Sequence, residues 1–383
     1  MNSKYSIRFS VFYLSVMCLT LIASPYIPQR INNIIKLVFE IIILIGIAFM
    51  KISKNSIIRV LPTFIFFLSM CYCTYHSVGL GSRFMNSIVT GGSYFLFFLT
   101  ISIFGIEYVG KIVKKNLFFY MIILDFFVII TWGNGLGGLD EAVYLIGNKF
   151  MVAYIHMFIM AFINNEYVNE KAGKQIIRTL GFFIYSCIIC MIADTTTGIV
   201  GLVCVFTLSI LSRKNKVLLN IMRRPMVMLA FFVGINVLFL LTDVFVNNSI
   251  IAGFFYSRSH TRSMLSGRLV MYKISMDAIA QHPVLGYGIN YDIVKKTLSF
   301  GNSQNGILKM LLDYGVVGTI CFSMTLFTTF QNAVGENNLK LKNNCIIFIY
   351  AMMICSLVEI NLAGIFMLIS SLLNSSEAYK KDY

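Results

Sequence analysis

Apolar residues run along this chain in long blocks of about 17 to 22, separated by short connections rich in Lys, Arg, Gly and Asn. A block of that length crosses roughly 30 Å of hydrocarbon as a helix, the conformation that satisfies every backbone group within its own segment. The pattern predicts twelve spans, near residues 9–26, 34–50, 60–75, 84–104, 117–132, 149–163, 179–193, 197–212, 226–247, 306–331, 344–358 and 362–374. One long polar interval interrupts the series between the ninth and tenth. The expected fold is an all-α integral membrane protein. Residues 1–247 hold nine spans, 248–304 form one large extracytoplasmic loop, and 305–383 hold three further spans and a short cytoplasmic tail. Composition agrees: 58% of residues are hydrophobic and 12% are charged, unlike any ordinary soluble domain.

Charge then orients the series. Lys4 and Arg8, then Lys51, Lys54 and Arg59, then Lys111, Lys114 and Lys115, then Lys171, Lys174 and Arg178, and later Arg213, Lys214, Lys216, Arg223, Arg224, Lys340, Lys342, Lys380 and Lys381 all fall on one side. That side is the cytoplasm by the excess of cations in its short loops, which puts both termini inside. The opposite connections carry little beyond Arg30, Arg83 and Lys149. A net charge of +15 would point to nucleic acid in a soluble protein; here it is chiefly an orientation signal, and no nucleic-acid partner is expected. The first apolar stretch starts basic like a signal peptide but meets Pro25 and Pro28 without a small-x-small cleavage site, so it reads as a retained helix. The nine cysteines fall inside expected spans, where they act as small apolar residues. Cys187 and Cys190 lack the second pair that a metal site would need.

Residues 248–304 carry Arg258, Arg262, Arg268, Lys273, Lys295 and Lys296 against Asp277 and Asp292, a net +4 on the face where cations are scarce. Ser266 is positioned to cap a helix with Leu269, Tyr272, Met276 and Ile279 along one face, and His282–Pro283 should end it. Gly286 and Gly288 predict a turn. A short helix should follow from near Asn290, with Asp292 in its first turn and Lys295 and Lys296 in its last. Asn302 or Ser303 can cap the tenth span, whose free N–H groups would then face an anion or merely the headgroup region. Two charge pairs, Lys36 with Glu40 and Lys309 with Asp313, are four residues apart and partly self-neutralising. Asp125 stands alone in the fifth span, where a central carboxylate costs about 3 kcal/mol, so it should face a polar partner that the pattern does not identify. The glycines of 133–138 lack the strand and GK[ST] of a phosphate loop and read as an outer turn.

The segments SGRLVMYKISMDAIAQHPVLGYGIN (266–290) and SQNGILKMLLDYGVVGTICF (303–322) resemble the bacterial O-antigen and capsular polysaccharide polymerases and their relatives the O-antigen ligases. The shared pattern is an Arg (Arg268), an aromatic four residues on (Tyr272), a helical stretch, a Pro, a G-x-G, and a His-Asn pair before a span with a glycine turn. GNKFMVAYIHMFI (147–159), DTTTGIVGL (194–202) and Glu359 agree more loosely. Two departures stand out: the His-Asn pair is Gln304-Asn305 here, and DTTTG lacks the arginine found at that turn in many ligases. Both favour a polymerase.

The resemblance implies a glycosyltransferase in the bacterial inner membrane that joins undecaprenyl-diphosphate-linked oligosaccharides on its outer face. It further implies no cofactor, no metal, and a chain-length regulator and a flippase as partners beside the lipid bilayer. A departing diphosphate suits guanidinium donors, which give paired, charge-assisted hydrogen bonds. Arg268 is the first candidate, with Arg83, Arg258 and Arg262 as further diphosphate contacts, although each also suits a headgroup or a helix surface. The acceptor hydroxyl's proton could pass to His260 or Glu359, or need no strong base at all. His282, Asp194, Asp277 and Asp292 compete, and His156 reads as a core residue. Ser303, Gln304 and Asn305 would orient sugar or hydroxyl groups. A ligase or a lipid-linked oligosaccharide flippase would share the span number; the flippase should show two similar halves, and none is visible.

Overall fold

The computed structural model describes residues 26–48, 52–136, 142–145, 147–163, 172–246, 264–298, 302–334 and 339–375. Among them the regular structure is helical: α1 Gln29–Ala48, α2 Lys54–Val78, α3 Ser82–Phe104, α4 Ile106–Ile130, α5 Lys149–Ile163, α6 Ala172–Ile192, α7 Thr196–Lys214, α8 Lys216–Met222, α9 Pro225–Val246, α10 Met264–Gln281, α11 Ile293–Leu298, α12 Gly306–Ala333, α13 Leu339–Cys355 and α14 Ile365–Leu373. Five of these are long and apolar enough to cross a membrane: α1, α2, α3, residues Thr196–Arg213 of α7, and α12. Four more apolar stretches, in α5, α6, α9 and α13, are shorter. The expected first span lies outside the described residues.

Helix α5 is central. Every residue from Val152 to Phe162 is buried, as is all of α14, and α13 packs beside both. Around them Ile, Leu and Phe side chains point outward from α1, α2, α4 and α6, as a lipid-facing surface requires. Glu40 of α1 is buried against α3, where it accepts a 2.5 Å hydrogen bond from Ser93 and lies over Gly92. At one end of the bundle Arg59 and the buried Lys342 both donate to Ser375 O, at 3.2 and 3.1 Å. Those cations satisfy a carbonyl just past the C-terminus of α14, where the helix dipole is negative.

The opposite end is organised by a break in α12. Gly315 has φ +59°, ψ −162°, so the helix stops and restarts there. Such a break frees backbone donors and acceptors that lipid cannot satisfy. The turn after α10 satisfies four of them. Val316 N donates to Pro283 O (2.8 Å) and Val317 N to Val284 O (3.1 Å), while Tyr287 N donates to Leu312 O (2.7 Å) and Gly288 N to Asp313 O (2.8 Å). Contact is close enough that a Cβ at Gly315 would lie 2.3 Å from Val284 O, and one at Gly286 would lie 2.6 Å from Leu312 O. Helix α2 locks the far side: Thr74 Oγ1 accepts from Ile289 N (3.1 Å) and Ser77 Oγ donates to Gly286 O (3.0 Å).

Several expectations are corrected here. Helix α4 begins at Ile106, well before the expected 117, so Lys111, Lys114 and Lys115 ride on the helix; charged residues extend a helix past its apolar block at little cost. In α10, Ser266 lies inside the helix, which starts at Met264. Its buried face is Met271, Tyr272, Ser275 and Ala278, while Met276 is exposed. The small side chains of Ser275 and Ala278 suit close packing on α12. The short helix after the G-x-G turn forms as expected at Ile293–Leu298, with Asp292 Oδ1 accepting from Lys295 N (3.2 Å).

A Gly315→Ala substitution meets both a left-handed backbone and a carbonyl in its way, so it should cost about 3 kcal/mol or more. Gly181→Ala on α6 has open space and should be neutral or slightly stabilising. Thermal melting of the detergent-solubilised protein separates the two: Gly315→Ala should melt several degrees lower and Gly181→Ala should not.

Candidate functional site

A second break brings distant elements together. Helix α13 ends at Cys355 and α14 starts at Ile365, and the nine residues between carry the only acid of this hairpin turn, Glu359. Asn361 and Gly364 account for the turn: Asn361 Nδ2 returns to Met352 O (2.9 Å), and Gly364 adopts φ +43°. The carbonyls freed at the end of α13 then recruit partners from elsewhere. Ser356 O accepts from Gly306 N (2.8 Å), and Leu357 O accepts from Asn305 Nδ2 (3.1 Å) and Tyr272 Oη (3.0 Å).

Tyr272 is the residue that joins α10 to this seam. Its ring is buried beside Phe239 of α9, and its hydroxyl is also 3.3 Å from Gln304 O. One phenolic proton is thus shared between the loop before α12 and the turn between α13 and α14. Arg268 lies one helical turn earlier on the same face of α10, roughly 6 Å along the axis. Its side chain falls outside the described residues, as do Arg258, His260 and Arg262 altogether.

The cap of α12 differs from expectation. Asn305, in place of Asn302 or Ser303, is the N-cap, its Oδ1 accepting from Leu308 N at 2.9 Å. Its Nδ2 is spent on Leu357 O and, at 3.5 Å, Asn236 Oδ1, so this fully buried amide holds the seam together. Asn302 instead folds back on Gln304 N (2.8 Å), and Gln304 is driven to φ +41°, a conformation that side-chain-bearing residues rarely adopt. Ser303 beside them is 2% exposed, and its hydroxyl has no hydrogen-bond partner among the described residues. An unpaired buried hydroxyl costs about 1–3 kcal/mol, which a ligand hydroxyl or phosphate oxygen would relieve. The anion-binding reading of the helix mouth is narrowed, because Gly306 N and Leu308 N are already committed within the protein.

Glu359 is partly buried, with Thr197 Oγ1 at 3.4 Å from its Oε1. Thr197 sits in the first turn of α7, directly after Asp194–Thr195, so the loosely matching 194–202 segment does meet Glu359 in space.

Arg83 is placed elsewhere. It donates through Nε to Ile289 O and through Nη2 to Tyr287 O and Gly288 O, all at 2.8 Å. Those carbonyls belong to the turn that repairs α12, about 12 Å along α12 from the Asn305 cap. Three of its donors therefore clamp the turn. The rest of this corner is equally self-contained. Tyr287 and Tyr291 stack at 4.2 Å, Lys296 caps Tyr291 at 4.3 Å, and Lys309 bridges Tyr291 O (2.7 Å) and Asp313 (2.9 Å). Burial, with Tyr291 adding to it, raises the Tyr287 phenol above its ordinary range, which keeps it a donor to Ala278 O at 3.1 Å.

Arg268, Gln304, Asn305 and Glu359 thus belong to elements that converge, with Ser303 beside them. Sequence reasoning placed the short connection between residues 358 and 362, but missed that it extends over 356–364 and that Tyr272 bonds to it. Asn361 and Gly364 were the available signal for its extent.

Among known proteins, no curated protein matches the chain. A family model described as O-antigen ligase (Wzy_C) matches residues 181–323, which run from α6 through Arg268, Tyr272, the G-x-G turn and the Asn305 cap to just beyond the Gly315 break. Members of this family are glycosyl-transferring enzymes, and the matched stretch contains Tyr272 and Asn305 of the seam described above. Over this stretch the match supports membership in the O-antigen polymerase/ligase family, and five helices of the chain are long and apolar enough to cross a membrane.

Proposed function

We propose that this protein is a polysaccharide polymerase of the bacterial inner membrane, with twelve spans, both termini in the cytoplasm, and residues 248–304 outside. It would transfer a growing glycan from undecaprenyl diphosphate to the non-reducing end of a fresh lipid-linked repeat unit, in O-antigen or capsule synthesis. A flippase would deliver the units and a chain-length regulator would limit the product. In this reaction the acceptor oxygen forms a bond to the anomeric carbon, the bond from that carbon to the diphosphate oxygen breaks with its electron pair, and the acceptor proton leaves.

The observation that carries this reading is the shared Tyr272 hydroxyl, which sets the Arg268 face of α10 over both the α12 cap and the Glu359 turn. A cation and a carboxylate on facing elements are what this step needs: Arg268 for the charge that gathers on the diphosphate, and Glu359 or His260 for the proton. Arg258 and Arg262 would extend the diphosphate contact, and Ser303 would give its unpaired hydroxyl to a sugar. Arg83 supports the site through the turn that it clamps. Gln304 in place of the family His favours the polymerase over direct ligation. The matched family's own description favours a second reading, an O-antigen ligase that moves a finished glycan onto a lipid core.

Glycolipids extracted from cells lacking the protein distinguish these. The polymerase reading expects single lipid-linked repeats exposed on the outer leaflet and no ladder, restored by the wild-type protein. Long chains left on undecaprenyl diphosphate would mean ligase, and single repeats facing the cytoplasm would mean transport. Arg268→Ala at normal protein level should slow elongation roughly a hundredfold, the loss of about 3 kcal/mol of charge stabilisation. Tyr272→Phe keeps the ring but removes the hydroxyl that joins the two carbonyls. Turnover in reconstituted vesicles should fall roughly tenfold with acceptor KM nearly unchanged, the signature of misplaced groups as opposed to lost binding.

A further inference from the structure

The carboxylate that stood alone in the sequence has partners in the fold. Asp125 of α4 is 4% exposed and meets two side chains from neighbouring helices, His156 of α5 and Tyr185 of α6. Tyr185 Oη donates to Asp125 Oδ2 at 2.5 Å. His156 Nε2 lies 3.4 Å from the same oxygen. The imidazole is wholly buried and stacked on Phe182, with ring centroids 6.1 Å apart. All three residues are five to seven positions from the helix ends nearest the Lys149–Asp194 ion pair, so they lie at one level, roughly 10 Å below that rim.

The proton count follows from the hydrogen bonds. His156 Nδ1 is 2.8 Å from Val152 O, and a carbonyl can only accept, so Nδ1 carries hydrogen. Were the ring neutral and the carboxylate ionised, the lone pair of Nε2 would point at a negative oxygen, and an unbalanced charge would sit in a site shielded from water. Neither Nε2 nor Asp125 Oδ1 has another hydrogen-bond partner among the described residues to offset this. One further proton between Nε2 and Oδ2 removes both penalties. It makes the cluster neutral whether it rests on the ring or on the carboxyl.

We propose that Asp125 and His156 together bind one proton inside the bundle, closed off by Tyr185, and that this bound proton holds α4, α5 and α6 together. Among the described residues no further ion pair reaches Asp125. Cys190 of α6 is within electrostatic reach of Asp125, and Cys187 on the same helix is likewise a thiol. Tyr120, Tyr154, Tyr94, Cys204 and Cys355, on α4, α5, α3, α7 and α13, are uncharged groups. The charged residues of these helices are at their ends: Lys149 with Asp194 at the rim, and Lys111, Lys114, Lys115, Lys174 and Arg178 at the far side. Glu359 is engaged with Thr197.

Asp125→Asn removes the carboxylate charge, while its carbonyl oxygen at the place of Oδ2 still accepts from Tyr185. His156→Phe strands the carboxylate.

The test is thermal melting of the purified full-length protein in detergent for wild type, Asp125→Asn, His156→Phe and the double variant. The proposal expects His156→Phe to melt well below the wild type, and adding Asp125→Asn should recover at least half of that loss. A His156→Phe variant that melts with the wild type would overturn the proposal, and so would a double variant no better than His156→Phe.

Discussion

A helix that breaks where water is scarce must find new partners for the backbone groups it frees, and the architecture at one end of this protein follows from how α12 does so at Gly315. Two freed donors and two carbonyls are taken by residues 283–288, which enter the break as a turn. Each such group left unpaired in hydrocarbon would cost several kcal/mol, so the turn is held by necessity as well as by packing. Because α10 runs directly into that turn, its position over the bundle is set by the same four bonds. Arg83, Thr74 and Ser77 brace the insert from α2 and α3, which ties the placement of α10 to the most extensively packed pair of helices.

The second break, between α13 and α14, uses the same economy. Its free carbonyls accept from Gly306 N, Asn305 Nδ2 and Tyr272 Oη, and the two repairs therefore share α12 between them: one at its kink, one at its cap. The region between is where the family motifs gather. Under the proposed function, a transfer site here would take rigid polar groups from the backbone seams and a cation from α10. That division would suit a reaction in which lipid-linked substrates enter sideways from the bilayer and in which charge develops on only one of them.

Helix existence along the apolar blocks was legible because bilayer thickness dictates block length. Boundaries were less so: the run of Lys111, Lys114 and Lys115 looks like a loop in hydropathy, yet a helix passes through it. Asn302, Ser303 and Asn305 are all good cap residues, and nothing in residue type chooses among them. The choice is made by Gln304 turning to positive φ and by Leu357 O lying in reach of Asn305. Arg83 was recognisable as a rare cation on its side, but its partners are carbonyls, which carry no residue signature. Asp125 had the reverse problem: its cost was evident, while its partners lie 31 and 60 positions away on helices whose rotation the pattern does not specify. His156, read from sequence as a core residue, is indeed buried and is also the group that faces that acid.

The joint between the G-x-G turn and the broken α12 bears most directly on this account, and backbone amide exchange reads it residue by residue. Val316, Val317, Tyr287 and Gly288 should exchange slowly in the native protein, at rates comparable to mid-helix amides of α12, and should lose protection together when Arg83 is replaced by Ala. Fast exchange of Val316 and Val317 in the unaltered protein, or protection there that is indifferent to Arg83, would contradict it.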